Sequence, residues 1–259
     1  MKQSFTCILL RNGNVMFLCL TALPPEYAAR VRGGLPGTEY EGRIHGDYLV
    51  EMTTSGEVVW EWRSWEHLDP ADYPIVAWQE QRHEWTHGNS VAELPDGNLV
   101  LSFRNLCTVV IVARATGEVL WTLGPPTLAQ QHAPTPLANG NLLIFDNGTH
   151  RVDQFLPHSR VIEVEIATKH VVWSYQERRP YDFFSPLISN AQRLPNGNTL
   201  ICEGSFGRFF EVTMAGEVVW EYVSPYIVVP AARPDFPPGN SVFRAHRYSE
   251  EQIARWSGA

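Results

Sequence analysis

Two histidines stand at related places in a repeated pattern. His87 lies seven residues before Leu94, and His132 lies five residues before Leu137. The two leucines are equivalent, each four residues before the last Asn of a turn, Asp96-Gly97-Asn98 or Asn139-Gly140-Asn141. Seven and five share a parity, and side chains alternate along a strand. Both imidazoles are therefore expected on one face if the strand continues that far. Imidazole titrates near neutrality and serves as nucleophile or as general acid and base. Arg104 follows the second unit's turn in Ser102-Phe103-Arg104-Asn105, and a guanidinium binds sulfate or carboxylate through two parallel hydrogen bonds. The matching stretches are Phe145-Asp146-Asn147-Gly148 and Cys202-Glu203-Gly204. Charges at apolar strand ends are costly to bury unpaired, so they face the rim or serve a pocket. Arg208, Arg244, His246 and Arg247 add positive charge in comparable regions, and Asn147 joins Arg208, Arg244 and His246 as candidate substrate-binding residues. The set points to an anionic group held by Arg and His. The competing account is that each His fills a polar channel and bonds to water. No metal site is expected, because the fourth unit offers only Leu187 and Ser189 at the equivalent places. No cofactor is expected either.

These residues must be carried by a repeat. Turns at Asn12-Gly13-Asn14, Asp96-Gly97-Asn98, Asn139-Gly140-Asn141 and Asn196-Gly197-Asn198 are each followed by a hairpin ending in Trp. The hairpin ends are Gly56–Trp62, Gly117–Leu123, Lys169–Tyr175 and Gly216–Tyr222. In the second unit, 90–94, 99–103, 108–112 and 118–121 read as strands, joined by turns whose Gly supplies positive φ. Four short antiparallel strands per unit, repeated, predict an all-β chain folded as a β-propeller of about five or six blades. One domain over 1–259 is expected, with repeats at 5–62, 86–123, 131–175 and 187–223 and a partial one at 240–248. The final strand is expected to pair with N-terminal strands and seal the ring. A solenoid of the same units is the alternative. Extra length falls in the loops Pro24–Gly46, Ser64–Thr86 and Asn147–Ser159. A short helix is expected over Ser249–Ala259.

Trp60, Trp121, Trp173 and Trp220 recur at one place in each unit and are expected to pack between blades. Trp62, Trp65, Trp78 and Trp85 are off that register and freer to line a pocket.

Composition narrows the classes. Hydrophobic residues make up 44% of the chain, enough for a large core and against wholesale disorder. The net charge of -8, with no long run of one sign, argues against nucleic acid and against an anionic membrane, but leaves room for a local cationic pocket. A small aromatic or anionic molecule is the expected partner; oligomeric state is not legible. Cys7, Cys19, Cys107 and Cys202 form no C-x-x-C pair, and with Cys7 and Cys19 in apolar strand-like runs they read as buried free thiols. The apolar N-terminus is split by Arg11-Asn12-Gly13-Asn14, so residues 5–20 read as a hairpin rather than a signal peptide, which favours the cytoplasm. No apolar run reaches the roughly 18 residues of a membrane span.

Several runs, in order, resemble the arylsulfotransferase family. They are WTHGNSVAELPDGN (85–98), QHAPTPLANGN (131–141), LLIFDNG (142–148), AQRLPNGNTLICEG (191–204) and FEVTMAGEVVWEY (210–222). The resemblance implies a propeller, of about six blades in the bacterial enzymes. It also implies transfer of a sulfuryl group between phenols through a channel histidine, without a nucleotide donor. Carried over by position, His132 would be the nucleophile, and His87 with Arg104 would stabilise the sulfuryl oxygens. His87 stands as the near-equal choice for nucleophile. Leu187 departs from the pattern, which has His in the stretch 185–189. The family's enzymes are often periplasmic. A non-catalytic binding propeller, or a lyase or hydrolase using the same histidines as acid and base, are the other functions in play. A second likeness, of Ala113–Trp121 to the docking motif of quinoprotein propellers, implies a structural device rather than a quinone site.

Overall fold

The computed structural model describes residues 2–151, 154–229 and 238–257. Four sheets of four antiparallel strands follow one another along the chain. The first holds β1 (Lys2–Leu9), β2 (Val15–Ala22), β3 (His45–Met52) and β4 (Val58–Arg63). The second holds β5 (Gly88–Glu93), β6 (Leu99–Phe103), β7 (Thr108–Val112) and β8 (Val119–Leu123). The third holds β9 (His132–Pro136), β10 (Leu142–Asp146), β11 (Arg160–Val164) and β12 (Val171–Tyr175). The fourth holds β13 (Asn190–Arg193), β14 (Thr199–Glu203), β15 (Arg208–Val212) and β16 (Val218–Val223). Neighbours in sequence are neighbours in each sheet.

The turn chemistry explains the first hairpin of every sheet. Gly13, Gly97, Gly140 and Gly197 all sit near φ +86 or +87, a conformation that costs Gly least. The Asn or Asp before each Gly accepts a hydrogen bond from the backbone N–H two residues on. In three sheets the turn's two Asn side chains also grip a carboxylate on the third strand. Asn12 and Asn14 donate to Glu51, Asn139 and Asn141 to Glu163, and Asn196 and Asn198 to Glu211. An arginine from beyond the sheet completes each cluster: Arg114 on Glu51, Arg193 on Glu163 and Arg247 on Glu211. The second sheet has Ile111 at that place, and Asn98 bonds Asp96 of its own turn instead.

Alternation divides the core. On β6, Leu99, Leu101 and Phe103 face the first sheet, whereas Val100 faces the third. On β10, Leu142 and Ile144 face the second sheet, and Leu143 and Phe145 face the fourth. The inner sheets are buried on both faces, so β6 and β10 read as continuous apolar runs. Each fully buried Leu or Phe contributes about 1.5–3 kcal/mol. Trp indoles tie the sheets: Trp62 Nε1 donates to Gly117 O at 2.8 Å, Trp121 to Ile166 O at 2.8 Å and Trp173 to Met214 O at 3.0 Å. Trp62, Trp65 and Trp85 are core residues, not pocket residues, and Trp78 is exposed. Trp220, expected between blades, is 42% exposed.

The propeller expectation is corrected here. The four sheets are separate, none is closed into a barrel or propeller, and no ring of five or six units forms. The physical reason lies at the end of the row. All six residues of β16 are exposed, and no further sheet covers them among the described residues. Residues 240–248, expected as a further strand, form none. They do not pair with the N-terminal strands either. They run beside β13: the Asn190 side chain clasps the backbone of Ala245, and the Gln192 side chain that of Arg247. Residues 230–237 lie outside the described residues. Cys19, Cys107 and Cys202 are buried free thiols, but Cys7 is exposed, because alternation turns it outward between buried Thr6 and half-buried Ile8. A helix spans Glu250–Ser257, and no helix among the described residues is long and apolar enough to cross a membrane.

Candidate functional site

His87, Arg104 and His132 line one cavity of ≈ 410 Å³, between β2 and β3 of the first sheet and the starts of β5 and β9. They do not arrive there by simple strand alternation. His87 precedes β5 and sits at φ +48, and the β5–β6 register shifts just beyond it, between Gly88 and Ser90. The place of His87 in the third unit is held by Gln130, also left-handed at φ +56. Ala133, after His132, is left-handed at φ +51, and the β9–β10 register shifts there too. Left-handed backbone at non-Gly residues is strained and persists only where the surroundings hold it. Here the backbone N–H of Arg104 donates to His87 O at 3.0 Å and Asn105 N–H to Thr86 O at 3.2 Å, extending the pairing past the shift.

His132 is 3% exposed. Its Nδ1 lies 2.8 Å from Asn147 Oδ1 and 3.2 Å from Gln130 O. The Asn147 amide is oriented by its own partners, since Nδ2 donates to Ser185 O at 2.7 Å and to Ile188 O at 3.0 Å. Nδ1 of His132 thus faces two acceptors and must carry the proton. Burial pushes the imidazole pKa down to about 3, against a smaller upward pull from Asn147, and Arg104 adds to the depression. The ring is neutral at neutral pH, and its lone pair is on Nε2.

Arg104 donates through Nη1 to Glu80 at 2.7 Å and to Asn105 Oδ1 at 3.0 Å, and through Nη2 to Gln130 Oε1 at 3.2 Å. Its buried Nε–H has no acceptor among the described residues. Burial opposes ionisation of Glu80, but Arg104, Gln130 and His87 together outweigh it and hold the carboxyl below its usual range. His87 Nδ1 is 2.6 Å from Glu84 Oε2. Burial again opposes the charge on Glu84, and bonds from His83 and His87 overcome it, leaving the carboxyl well below the ordinary value. Asp47 also lines the cavity. Its Oδ2 accepts from Thr86 Oγ1 and the Gly88 N–H, yet burial raises its pKa to about 6. Arg244 reaches from the C-terminal segment to donate to Asn89 O at 2.6 Å, and no carboxylate pairs with it among the described residues. Asn89 also lines the cavity, and most of the remaining wall is apolar, from Leu18, Leu20, Leu187, Ile188 and Phe243.

The other candidates lie elsewhere. Asn147 stands behind His132 and touches it, not the cavity. Arg208 pairs with Glu203 and Glu221 on the fourth sheet. His246 is exposed beside Tyr248, outside the cavity wall. Four residues of the site were not singled out from sequence: Asp47, Glu80, Glu84 and Gln130. The Glu84-x-x-His87 spacing was the one available signal; the others come together only through folding. Among the described residues, no group of His, Cys, Asp and Glu is arranged to hold a metal ion.

Repeated four-stranded sheets carrying a neutral buried His beside arginines define an all-β protein with a polar–apolar cavity at that His. The family model described as Arylsulfotransferase (ASST) matches residues 30–225, from the loop after β2 to the end of the fourth sheet, and the chain belongs to that family. It is similar to arylsulfate sulfotransferase AssT of Escherichia coli O6:H1 (strain CFT073), 26% identical over 244 residues, with 64% of this chain covered. The chain spans 40% of that relative's length. Two solved structures are also similar. One is a protein of unknown function from Bacteroides caccae, at 17% identity and TM-score 0.48, covering 70% of this chain and 56% of that one. The other is a catalytically inactive virginiamycin B lyase from Staphylococcus aureus with quinupristin, at 12% identity and TM-score 0.48, covering 85% and 55%. At these TM-scores neither likeness assigns a fold or an activity.

Proposed function

We propose that the cavity carries sulfuryl transfer from an aryl sulfate to a phenol, with His132 as the nucleophile. The observation that carries this reading is the fixed tautomer of His132. Nδ1–H is committed to Asn147 and Gln130, and a buried ring stays neutral, so Nε2 keeps a lone pair free to attack. In the first half-reaction that lone pair attacks sulfur, the sulfur–oxygen bond to the aryl group breaks, and a phenolate leaves. The ring then bears the sulfuryl group on Nε2 and a positive charge, which the Nδ1–H bond to Asn147 Oδ1 stabilises. In the second half-reaction the acceptor's oxygen attacks sulfur and the nitrogen–sulfur bond breaks, restoring the lone pair. Family membership and the similarity to an arylsulfate sulfotransferase support the substrate class.

The cavity's two characters suit such a substrate. Leu187, Ile188 and Phe243 offer an apolar wall for an aryl ring. Arg104 shares its charge with Glu80, whereas Arg244 has no carboxylate partner among the described residues. Arg104 is the arginine that lines the cavity and would meet sulfuryl oxygens, while Arg244, bonded to Asn89 O outside the wall, adds positive potential from behind. Incubation with 4-nitrophenyl sulfate and phenol tests the reading. Release of nitrophenol, phenol-dependent turnover and a mass gain of one sulfuryl group on the peptide holding His132 are expected, all lost in His132→Ala. No release and no adduct from a panel of aryl sulfates would overturn it.

A further inference from the structure

We infer that Glu84 holds His87 as the proton-transfer group of this cavity, giving the site one histidine for the sulfuryl group and another for the proton. The inference rests on the reading of His132 as the sulfuryl carrier. The two imidazoles sit in contrasting surroundings. His132 is 3% exposed and touches only neutral amide groups through Nδ1. The His87 side chain is 40% exposed, opens on the same cavity, and has a carboxylate 2.6 Å from its Nδ1. A carboxylate at Nδ1 keeps a proton on that nitrogen and stabilises the imidazolium, so Nε2 is the nitrogen that gains and loses a proton. A neutral amide does neither as strongly. His132 is thus arranged to stay neutral and attack, and His87 to cycle between neutral and charged.

Glu84 is itself held in place. It lies between His87 and His83, whose Nε2 is 3.6 Å from Oε1, and its side chain is only 16% exposed. His87 is fixed from the other side through its carbonyl, which accepts from the Arg104 N–H. Left-handed backbone at His87 is the strain this arrangement maintains. Glu84 touches no substrate in this scheme; it is a positioning residue.

The step balances. In the first half-reaction His87 Nε2–H gives its proton to the leaving phenolate oxygen as the sulfur–oxygen bond breaks. In the second, neutral His87 Nε2 takes the proton of the acceptor phenol as its oxygen bonds to sulfur. One proton leaves and one returns per cycle. The base matters because an unactivated phenol has a pKa of about 10 and is un-ionised at neutral pH. An acceptor already ionised at the assay pH has no proton to lose.

Glu84→Gln tests this, with 4-nitrophenyl sulfate as donor because its leaving group departs without protonation. The sulfuryl adduct on His132 should still form at the normal rate. Transfer to phenol should fall about 10- to 100-fold, the loss typical of a missing partner to a working histidine. Transfer to an acidic polyfluorinated phenol, ionised at the assay pH, should change less than about threefold, the loss following the proton the base must remove. His87→Gln should show the same selectivity, and the double variant no further loss. A normal adduct with an equal fall for all acceptors, or with none, overturns the role of Glu84 and leaves His132 in place. No adduct in the unaltered protein overturns both. A urea midpoint for each variant separates misfolding from chemistry, and His87→Gln decides the matter if Glu84→Gln does not fold.

Discussion

Replacing Asn147 by Leu keeps roughly the shape of the side chain and removes its polarity. Three hydrogen bonds go: one from His132 Nδ1, and two to the carbonyls of Ser185 and Ile188. The partners lose unequally. His132 Nδ1 keeps Gln130 O at 3.2 Å, and Ser185 O keeps Ser159 Oγ at 3.3 Å. Ile188 O is left without a second donor at the site. This half-buried orphan costs up to the about 1–3 kcal/mol of a buried one, and each of the two weakened groups about 0.5–1.5 kcal/mol. The expected destabilisation is therefore about 2–6 kcal/mol, a large part of the 5–15 kcal/mol typical of a domain, yet compatible with folding. Function should suffer separately. The bond that fixes the tautomer is worth about 1 kcal/mol, and roughly 1.4 kcal/mol is tenfold in rate, so the share of correctly protonated His132 falls several-fold. Looser placement of the ring adds to this, for a loss of about tenfold or more in transfer. Urea unfolding followed by Trp fluorescence gives the first number, and nitrophenol release under saturating donor gives the second. An unchanged midpoint together with an unchanged rate would refute the argument that Asn147 sets the state of His132.

Other expectations follow from the same contacts. His132 has its folded pKa depressed to about 3, so the unfolded chain binds a proton that the folded one refuses; its contribution is present above about pH 6.5 and is lost as pH falls, at about 1.4 kcal/mol per pH unit. Asp47, raised to about 6, acts oppositely, the folded state gaining relative stability as pH falls through that value, so His132→Gln should make stability fall less, or rise, between pH 6 and 4 in urea titrations. Trp173→Phe removes the indole bond to Met214 O and weakens the ring's contact with the Arg193 guanidinium, 4.6 Å away, and should lower the unfolding free energy by about 1–2 kcal/mol. Glu163→Gln discharges the acceptor shared by Asn139, Asn141 and Arg193 and should cost about 1.5–3 kcal/mol by the same assay, with nitrophenol release from the folded protein unchanged.

The repeat was legible because its signal is local. A turn that needs positive φ selects Gly, and Gly13, Gly97, Gly140 and Gly197 all show it. Ring closure was not legible, since it depends on what covers β16, and no local pattern states that. The alternation argument placed His87 and His132 together, but β5 stops short of His87, and left-handed residues and register shifts turn both histidines into the cavity. Register also favoured Trp60 as the tie to the second sheet. Trp60 and Trp62 are two residues apart and share a face of β4, and it is Trp62 that reaches Gly117 and stacks on His67. The acidic half of the site was hidden for another reason. Glu80 and Glu84 sit in the long loop between β4 and β5, where no periodicity assigns a side chain to a face, and Asp47 meets Thr86 and Gly88 only once the first two sheets are packed.

The asparagine turns set a chemical lifetime as well as a backbone shape. Asn-Gly is the pair most prone to deamidation, because the Gly nitrogen meets little hindrance in attacking the Asn amide carbon. Three of the four turns carry that pair, at Asn12, Asn139 and Asn196. In the folded chain both reacting groups are occupied. The Gly N–H donates to Leu10, Leu137 or Leu194, and the Asn amide nitrogen is bound to Glu51, Glu163 or Glu211. Deamidation would set a second carboxylate against each of those glutamates, so a damaged turn would repel the partner it now grips. Ageing should thus be slow while the sheets hold and self-reinforcing once one opens. Peptide mapping of samples stored folded and in urea would show it, and equal deamidation in both would remove the protective role assigned to the carboxylates.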